Sequence, residues 1–191
     1  RDVAPSRGLG DVYKRQFINR WRLEPKPEDV ERYKKGELVE PQKPIELWID
    51  PATPPVWVPY IKKGIVEWQE AFEAAGFKNA IVAREVTPDD REFDIDDVRY
   101  SVVTYAASEM ANAMGPSVID PRSGEIIEAD IIWWHNVVSL LREWIVIQTG
   151  AVNPAVRNPE LPDSLMGDAA RFVACHEVGH SLGLKHNMIA S

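Results

Sequence analysis

The chain has 191 residues, 45% of them hydrophobic and 9% aromatic with 7 Trp; at about 100–200 residues per domain the expectation is one compact unit, or one and a piece of a second, with a real core, and a wholly disordered chain is excluded. Its 22 Lys and Arg against 30 Asp and Glu leave a formal net charge of -8, with no basic stretch to track a phosphate backbone, so nucleic acid is not an expected partner. The single Cys175 cannot close an intramolecular disulfide, and the longest apolar run, Ile131 to Ile147, is interrupted by His135, Asn136, Arg142 and Glu143, so no membrane span is expected.

Residues 1–16 (RDVAPSRGLGDVYKRQ) show neither helical nor strand periodicity and resemble translated adapter sequence; they are expected to be a non-native or disordered leader. Residues 17–44 are polar, with Pro25, Pro27, Pro41 and Pro44 around a charged stretch, and read as a lead-in with a helical turn or two. Ile45 to Asp50 alternates as a strand stopped by Pro51, Pro54 and Pro55. Pro59 then fits a first helical position, and Ile61, Ile65, Trp68, Phe72 and Ala75 recur at helical spacing, with Gly76 as the C-terminal cap. That stripe predicts one amphipathic helix whose aromatics face the core.

Ala80–Val86 and Arg99–Tyr105 read as strands flanking an acidic loop with Asp89, Asp90, Asp94, Asp96 and Asp97. The loop is expected to be solvated; calcium is its weakly supported alternative occupant, since the spacing does not match a helix-loop-helix calcium site. Ser117–Asp120, a turn over Pro121–Gly124 and Glu125–Trp134 predict a strand and its returning partner, so that all strands form one mixed sheet. Asn136 is placed to cap a helix from about Val137 to Thr149 that Gly150 ends, and Asp163 to cap a final helix through about Leu182. The predicted class is α+β.

The final helix carries His176-Glu177-Val178-Gly179-His180, followed by Gly183 and His186, the spacing HExxHxxGxxH, which holds three of the chain's four histidines. From the chain's own residue frequencies, chance would give the long form in about one such sequence in a hundred thousand. Positions four apart lie about 40° round a helix, so the imidazoles of His176 and His180 reach one metal from one face. Gly183 falls where the helix ends, and a left-handed conformation there turns the chain so that His186 returns to the same ion. Three nitrogens leave a fourth position open, the mark of a catalytic zinc rather than a structural one, and zinc suits neutral imidazoles. Glu177 is placed as general base for water attacking an amide carbonyl. His135, beside Trp133 and Trp134, reads as structural; Cys175, turned off the metal-facing side, reads as inert packing. Gly179 serves either close helix packing or simple tolerance.

The motif resembles the zinc-binding helix of the metzincin metallopeptidases. The resemblance extends over roughly 45–191, and WVPYIKKGIVEWQEAFEAAGFKNAI, DPRSGEIIEADI and HEVGHSLGLKHN are similar to stretches of large bacterial zinc-dependent metalloproteases that carry domains of unknown function. It implies a metzincin-like N-terminal catalytic subdomain: a mixed twisted sheet with an antiparallel edge strand, packed on two or three helices and ending in the zinc-binding helix. It also implies His176, His180 and His186 as ligands of one Zn2+, Glu177 as base, and a peptide or protein substrate laid along the edge strand, placed at Ser117, Val118, Ile119 and Asp120. Export to an extracellular or periplasmic location is implied by the family alone. Metzincins have a methionine turn well past the third histidine, and Met188 is too close to serve, so the chain is expected to be a fragment with further C-terminal domain sequence beyond residue 191. The expected activity is that of a zinc metalloendopeptidase. The alternatives are a catalytically silent zinc module that grips peptides or glycans, and zinc hydrolysis of a non-peptide amide or ester.

Overall fold

The computed structural model describes residues 3–4, 11–12, 17–158 and 160–187. Within the first sixteen residues it gives a two-residue antiparallel pair, β1 (Val3–Ala4) with β2 (Asp11–Val12); the rest of that segment, like Met188, lies outside the described residues. From Phe17 to Pro25 burial alternates residue by residue, with Asn19, Trp21 and Leu23 turned inward. This extended strap hydrogen-bonds across a distant turn: Arg20 N–H donates to Gly124 O at 3.0 Å, and Ile126 N–H to Arg20 O at 2.9 Å. A 3-10 turn, Pro27–Asp29, then runs into the short helix α1 (Val30–Lys34). Tyr33 stacks on Phe77 at 4.9 Å, and Val39, Phe77 and Ala80 form a small second core, so the polar lead-in is packed onto the fold.

The main architecture is a sheet backed by helices. β3 (Ile45–Ile49), β4 (Ile81–Glu85), β5 (Ser101–Ala106) and β9 (Ile131–Trp134) run parallel, and β6 (Ala113–Met114) closes one edge antiparallel to β9, in the order β4-β3-β5-β9-β6. Alternation in β3 buries Ile45, Leu47 and Ile49 in the main core with Ile61, Ile65, Val103, Ile131 and Trp133. Trp48, on the other face, carries Phe93 and Tyr100 at 5.5 Å each. The acidic loop expected to be merely solvated therefore packs on the sheet through its aromatics. Its carboxylates cap local turns: Asp90 accepts from Thr87, Asp94 from the Asp96 N–H and Asp97 from Arg99.

The periodic run expected as one helix is α2 (Val58–Val66) followed by α3 (Gln69–Ala74), interrupted at Glu67–Trp68. Trp68 sits at this break and reaches over the last helix, donating its indole N–H to Cys175 O at 2.8 Å. Gly76 ends α3 at φ 94°, as expected. That last helix, α5 (Asp163–Ser181), packs along α2 at close range, because a Cβ on Gly64 would lie 2.5 Å from Arg171 O and 2.8 Å from the Ala174 Cβ. Gly179 serves the same closeness, its missing Cβ leaving room for the Trp68 ring 3.0 Å away. Pro162, not Asp163, holds the cap position of α5.

Two expectations about the strands need correction. The returning strand is not continuous. β8 (Ile126–Ala129) pairs only with β7 (Ser117–Ile119) in a separate two-stranded ladder, and the chain then crosses to the main sheet as β9. Side chains make the transfer at Asp130: its carboxylate accepts the Val102 N–H at 2.8 Å, while Ser101 Oγ accepts the Ala129 N–H at 3.0 Å. The antiparallel edge strand is therefore β6, not Ser117–Asp120. Pro116 separates the two, since it has no N–H with which to continue a ladder. After β9, the helix α4 (Val137–Thr149) packs beside α5; Asn136 stands at its N-terminus but donates its side chain to Glu109 O at 2.9 Å instead of capping. Gly150 ends α4 at φ -58°, without a left-handed turn. Among the described residues no helix is long and apolar enough to cross a membrane.

Candidate metal centre

α5 carries His176 and His180 one turn apart on one face, with Glu177 rotated inward to 7% exposure. The helix closes on Gly183 at φ 96°, a left-handed value that suits glycine. There the Gly183 N–H donates to His180 O at 2.9 Å and the Leu184 N–H to Gly179 O at 3.0 Å, the paired bonds of a Schellman turn. Gly183 is needed for space as well, because a Cβ there would lie 2.5 Å from Asn19 O on the strap. Two residues upstream of Gly183, the Trp21 indole donates to Ser181 O at 2.9 Å. The turn that sends the chain to His186 is thus held from the far end of the sequence.

The three imidazoles converge. His176 Nε2 lies 3.0 Å and His180 Nε2 3.1 Å from His186 Nε2, and the three ligand atoms fall within 4.8 Å of one another. Among the described residues this is the one His/Cys/Asp/Glu group able to hold a metal ion. The donor set fits zinc, since bonds of ~2.0–2.1 Å in tetrahedral array separate ligand nitrogens by about 3.4 Å, a value between the two shorter separations to His186 and the 4.8 Å within which all three atoms fall. The His180 Nδ1 lies 3.0 Å from Leu184 O; assigning its proton to that carbonyl leaves Nε2 with its lone pair towards the cluster. Burial, then the neighbouring His180 and His186, lower the His176 pKa and favour the neutral ligand form. Burial raises the Glu177 pKa, against the pull of His180 and His186.

A cleft of about 800 Å³ opens beside the cluster, lined by β6 and Gly115 on one side and by α4 and α5 on the other, with Asn19 at its margin. Gly115 brings the segment after β6 onto α5, a Cβ there falling 3.0 Å from Glu177 O. The structure thus brings together His176, Glu177, His180, Gly183 and His186. Of the expected edge-strand residues, Ser117 lines the cleft, whereas Val118, Ile119 and Asp120 stand outside its lining, and Asp120 bonds Arg122 in the turn. His135 pairs through Nδ1 with the Tyr105 hydroxyl, also outside that lining. The Cys175 thiol is pushed up in pKa by burial and then by Glu67, as inert packing requires. The strap residues Asn19 and Trp21 are what sequence reading missed; the one signal was the brief alternation of Trp21 and Leu23 with Arg20, Arg22 and Glu24, and Asn19 gave none.

Residues 158–191 match the family model described as Met-zincin. No curated protein and no solved structure matches the chain. The matched stretch contains the three histidines, Glu177 and Gly183, so this segment is metzincin-type, and the mixed sheet that leads into it gives the α+β, metzincin-like fold. The match supports a zinc metallopeptidase kind of function.

Proposed function

We propose that the protein is a zinc-dependent metalloendopeptidase in which His176, His180 and His186 hold the ion and Glu177 is the general base. The observation that carries this reading is the meeting of three imidazole nitrogens beside an inward carboxylate at the wall of an open cleft. Zinc, when bound, supplies a Lewis acid that acidifies water and polarises a carbonyl. Glu177 accepts the proton of the attacking water and returns it to the leaving amine nitrogen; its burial raises its affinity for that proton. β6 offers its free backbone edge to an extended peptide, the substrate-positioning role first assigned to Ser117–Asp120. His180 keeps its orientation through the Leu184 carbonyl. An exported location remains part of this proposal on family grounds.

The test is metal content followed by cleavage of a mixed peptide library with and without chelator. Glu177→Gln should retain zinc and lose cleavage by about 10²–10⁴-fold. Zinc bound with no Glu177-dependent turnover of any peptide would instead favour a silent binding module.

A further inference from the structure

The helical period of the sequence runs on from Ile65 through Trp68 to Phe72 and Ala75, yet the helix breaks between α2 and α3 at Glu67 and Trp68. Both residues at the break reach α5. The Glu67 carboxylate pairs with Arg171, and the half-buried Trp68 donates its indole N–H to Cys175 O at 2.8 Å. The Trp68 ring continues to Gly179, where an added Cβ would stand 3.0 Å from it. Arg171, Cys175 and Gly179 follow one another at four-residue spacing and form one stripe of α5; the stripe of His176 and His180 lies about 100° round the helix from it. Trp68 thus touches the residue before each of the first two histidines, and Glu177 lies between its two points of contact. It does not itself line the cleft.

We infer that Trp68 is a positioning residue for the metal centre: holding α5 from behind at Cys175 and Gly179, it sets the rotation at which His176 and His180 face the cluster and Glu177 stands beside them. Apolar burial is non-directional and by itself does little to resist a small turn of one helix on another. A hydrogen bond weakens steeply as its angle opens, so a donor on Cys175 O from outside the helix resists that turn. Side-chain tips lie ~5–6 Å from a helix axis, so a rotation of about 10° carries an imidazole nitrogen roughly 1 Å. A displacement of that size in a catalytic group can cost about a hundredfold in rate. The Trp21 indole on Ser181 O restrains the far end of the same segment, so two indoles bracket the turns that bear the motif. Trp68 lies outside the matched stretch 158–191, so the family segment does not itself supply it. For the histidines this role requires only a metal site; for Glu177 it rests on the peptidase reading.

The test replaces Trp68 in the full chain by benzothienylalanine, which keeps the bicyclic shape and has sulfur in place of the N–H. Trp68→Phe, lacking both the donor and the second ring, accompanies it. Zinc affinity, read by competition with a chelating dye, should fall about three- to tenfold in the isosteric variant, the worth of one hydrogen bond. The visible absorption of the cobalt(II)-loaded chain, which reports ligand geometry, should shift from the parent's in both variants. On a peptide that the parent cleaves, kcat should fall at least about tenfold with KM within about twofold. A Trp68 that only fills space would lower the melting temperature of Trp68→Phe and leave the isosteric variant at the parent's zinc affinity and cobalt spectrum; that result overturns the inference. Gly36→Ala, strained where nothing lies within 4 Å, is the control for lost stability and should keep the parent's spectrum. Should Trp68→Phe fail to fold, the isosteric variant alone decides. If the parent cleaves no peptide, the peptidase reading falls, and zinc affinity and spectrum still decide the positioning role. If it cleaves, and the isosteric variant matches it in affinity, spectrum and kcat, the positioning role falls alone.

Discussion

Alanine at position 183 would meet two conflicts at once. Its φ of 96° is left-handed, which costs an L-residue ~1–2 kcal/mol. Its Cβ would also lie 2.5 Å from Asn19 O, a backbone atom, so the strap must move. If the strap moves far enough to break the Trp21–Ser181 hydrogen bond, a further ~1 kcal/mol goes with it. The sum is about 2–3 kcal/mol, acting on the turn that returns His186 to the cluster. Melting of the metal-free chain should fall by roughly 5–10 °C. Zinc affinity, measured by competition with a chelating dye, should fall by about 30- to 150-fold if the whole sum reaches the third ligand. Gly36→Ala is the control: φ is 82° but nothing lies within 4 Å of the added carbon, so stability falls by the conformational term alone and zinc affinity is unchanged. Equal zinc affinities for Gly183→Ala and the parent chain would refute the claim that this turn positions the third imidazole.

Zinc should raise the melting temperature of the parent chain, by linkage worth about 4 kcal/mol at a thousandfold excess over Kd, and His180→Ala should abolish both that rise and chelator-sensitive cleavage. Gly64→Ala should destabilise by ~2–4 kcal/mol in urea unfolding, since its Cβ meets Arg171 O and the Ala174 Cβ on a helix that cannot retreat; an unchanged midpoint would mean the helices are less close than described. Glu128, 9% exposed, has its pKa pushed up to about 7 by burial and then by its hydrogen bond to Asp130 and that group's charge. A raised carboxyl favours the fold at low pH, so this contribution is complete below about pH 4.5 and is lost as pH rises through about 7, a swing on the order of 2–3 kcal/mol. Glu128→Gln should flatten that part of the stability-pH curve measured by denaturant titration; an unaltered curve would contradict the assignment.

The parts legible in the sequence are those whose signal is local. β3 alternates, α4 and α5 keep a helical period, and the metal-binding spacing is a property of one helix and its C-terminal turn. β6 gave no signal because two residues cannot show a period. Glu125 to Trp134 reads as a single strand because Asp130 looks like one more outward position; its true partner, the Val102 N–H, lies 28 residues away. The alternation of Trp21 with Leu23 could mark an inward side chain but not its partner, since the acceptor is 160 residues distant. The wall facing the metal joins α4 to α5, so it exists only once the sheet has set their separation.

The strap has a consequence for where this domain begins. Cut at Ile45, the chain would keep every residue of the metal motif, yet it would surrender the indole that grips the end of α5 and the carbonyl on which Gly183 rests. Such a truncation should coordinate zinc loosely in spite of an intact signature. It follows as well that the centre matures late: during synthesis the strap must wait for α5, 160 residues further on from Trp21 to Ser181, before either is fixed, a long-range closure of the kind that slows folding.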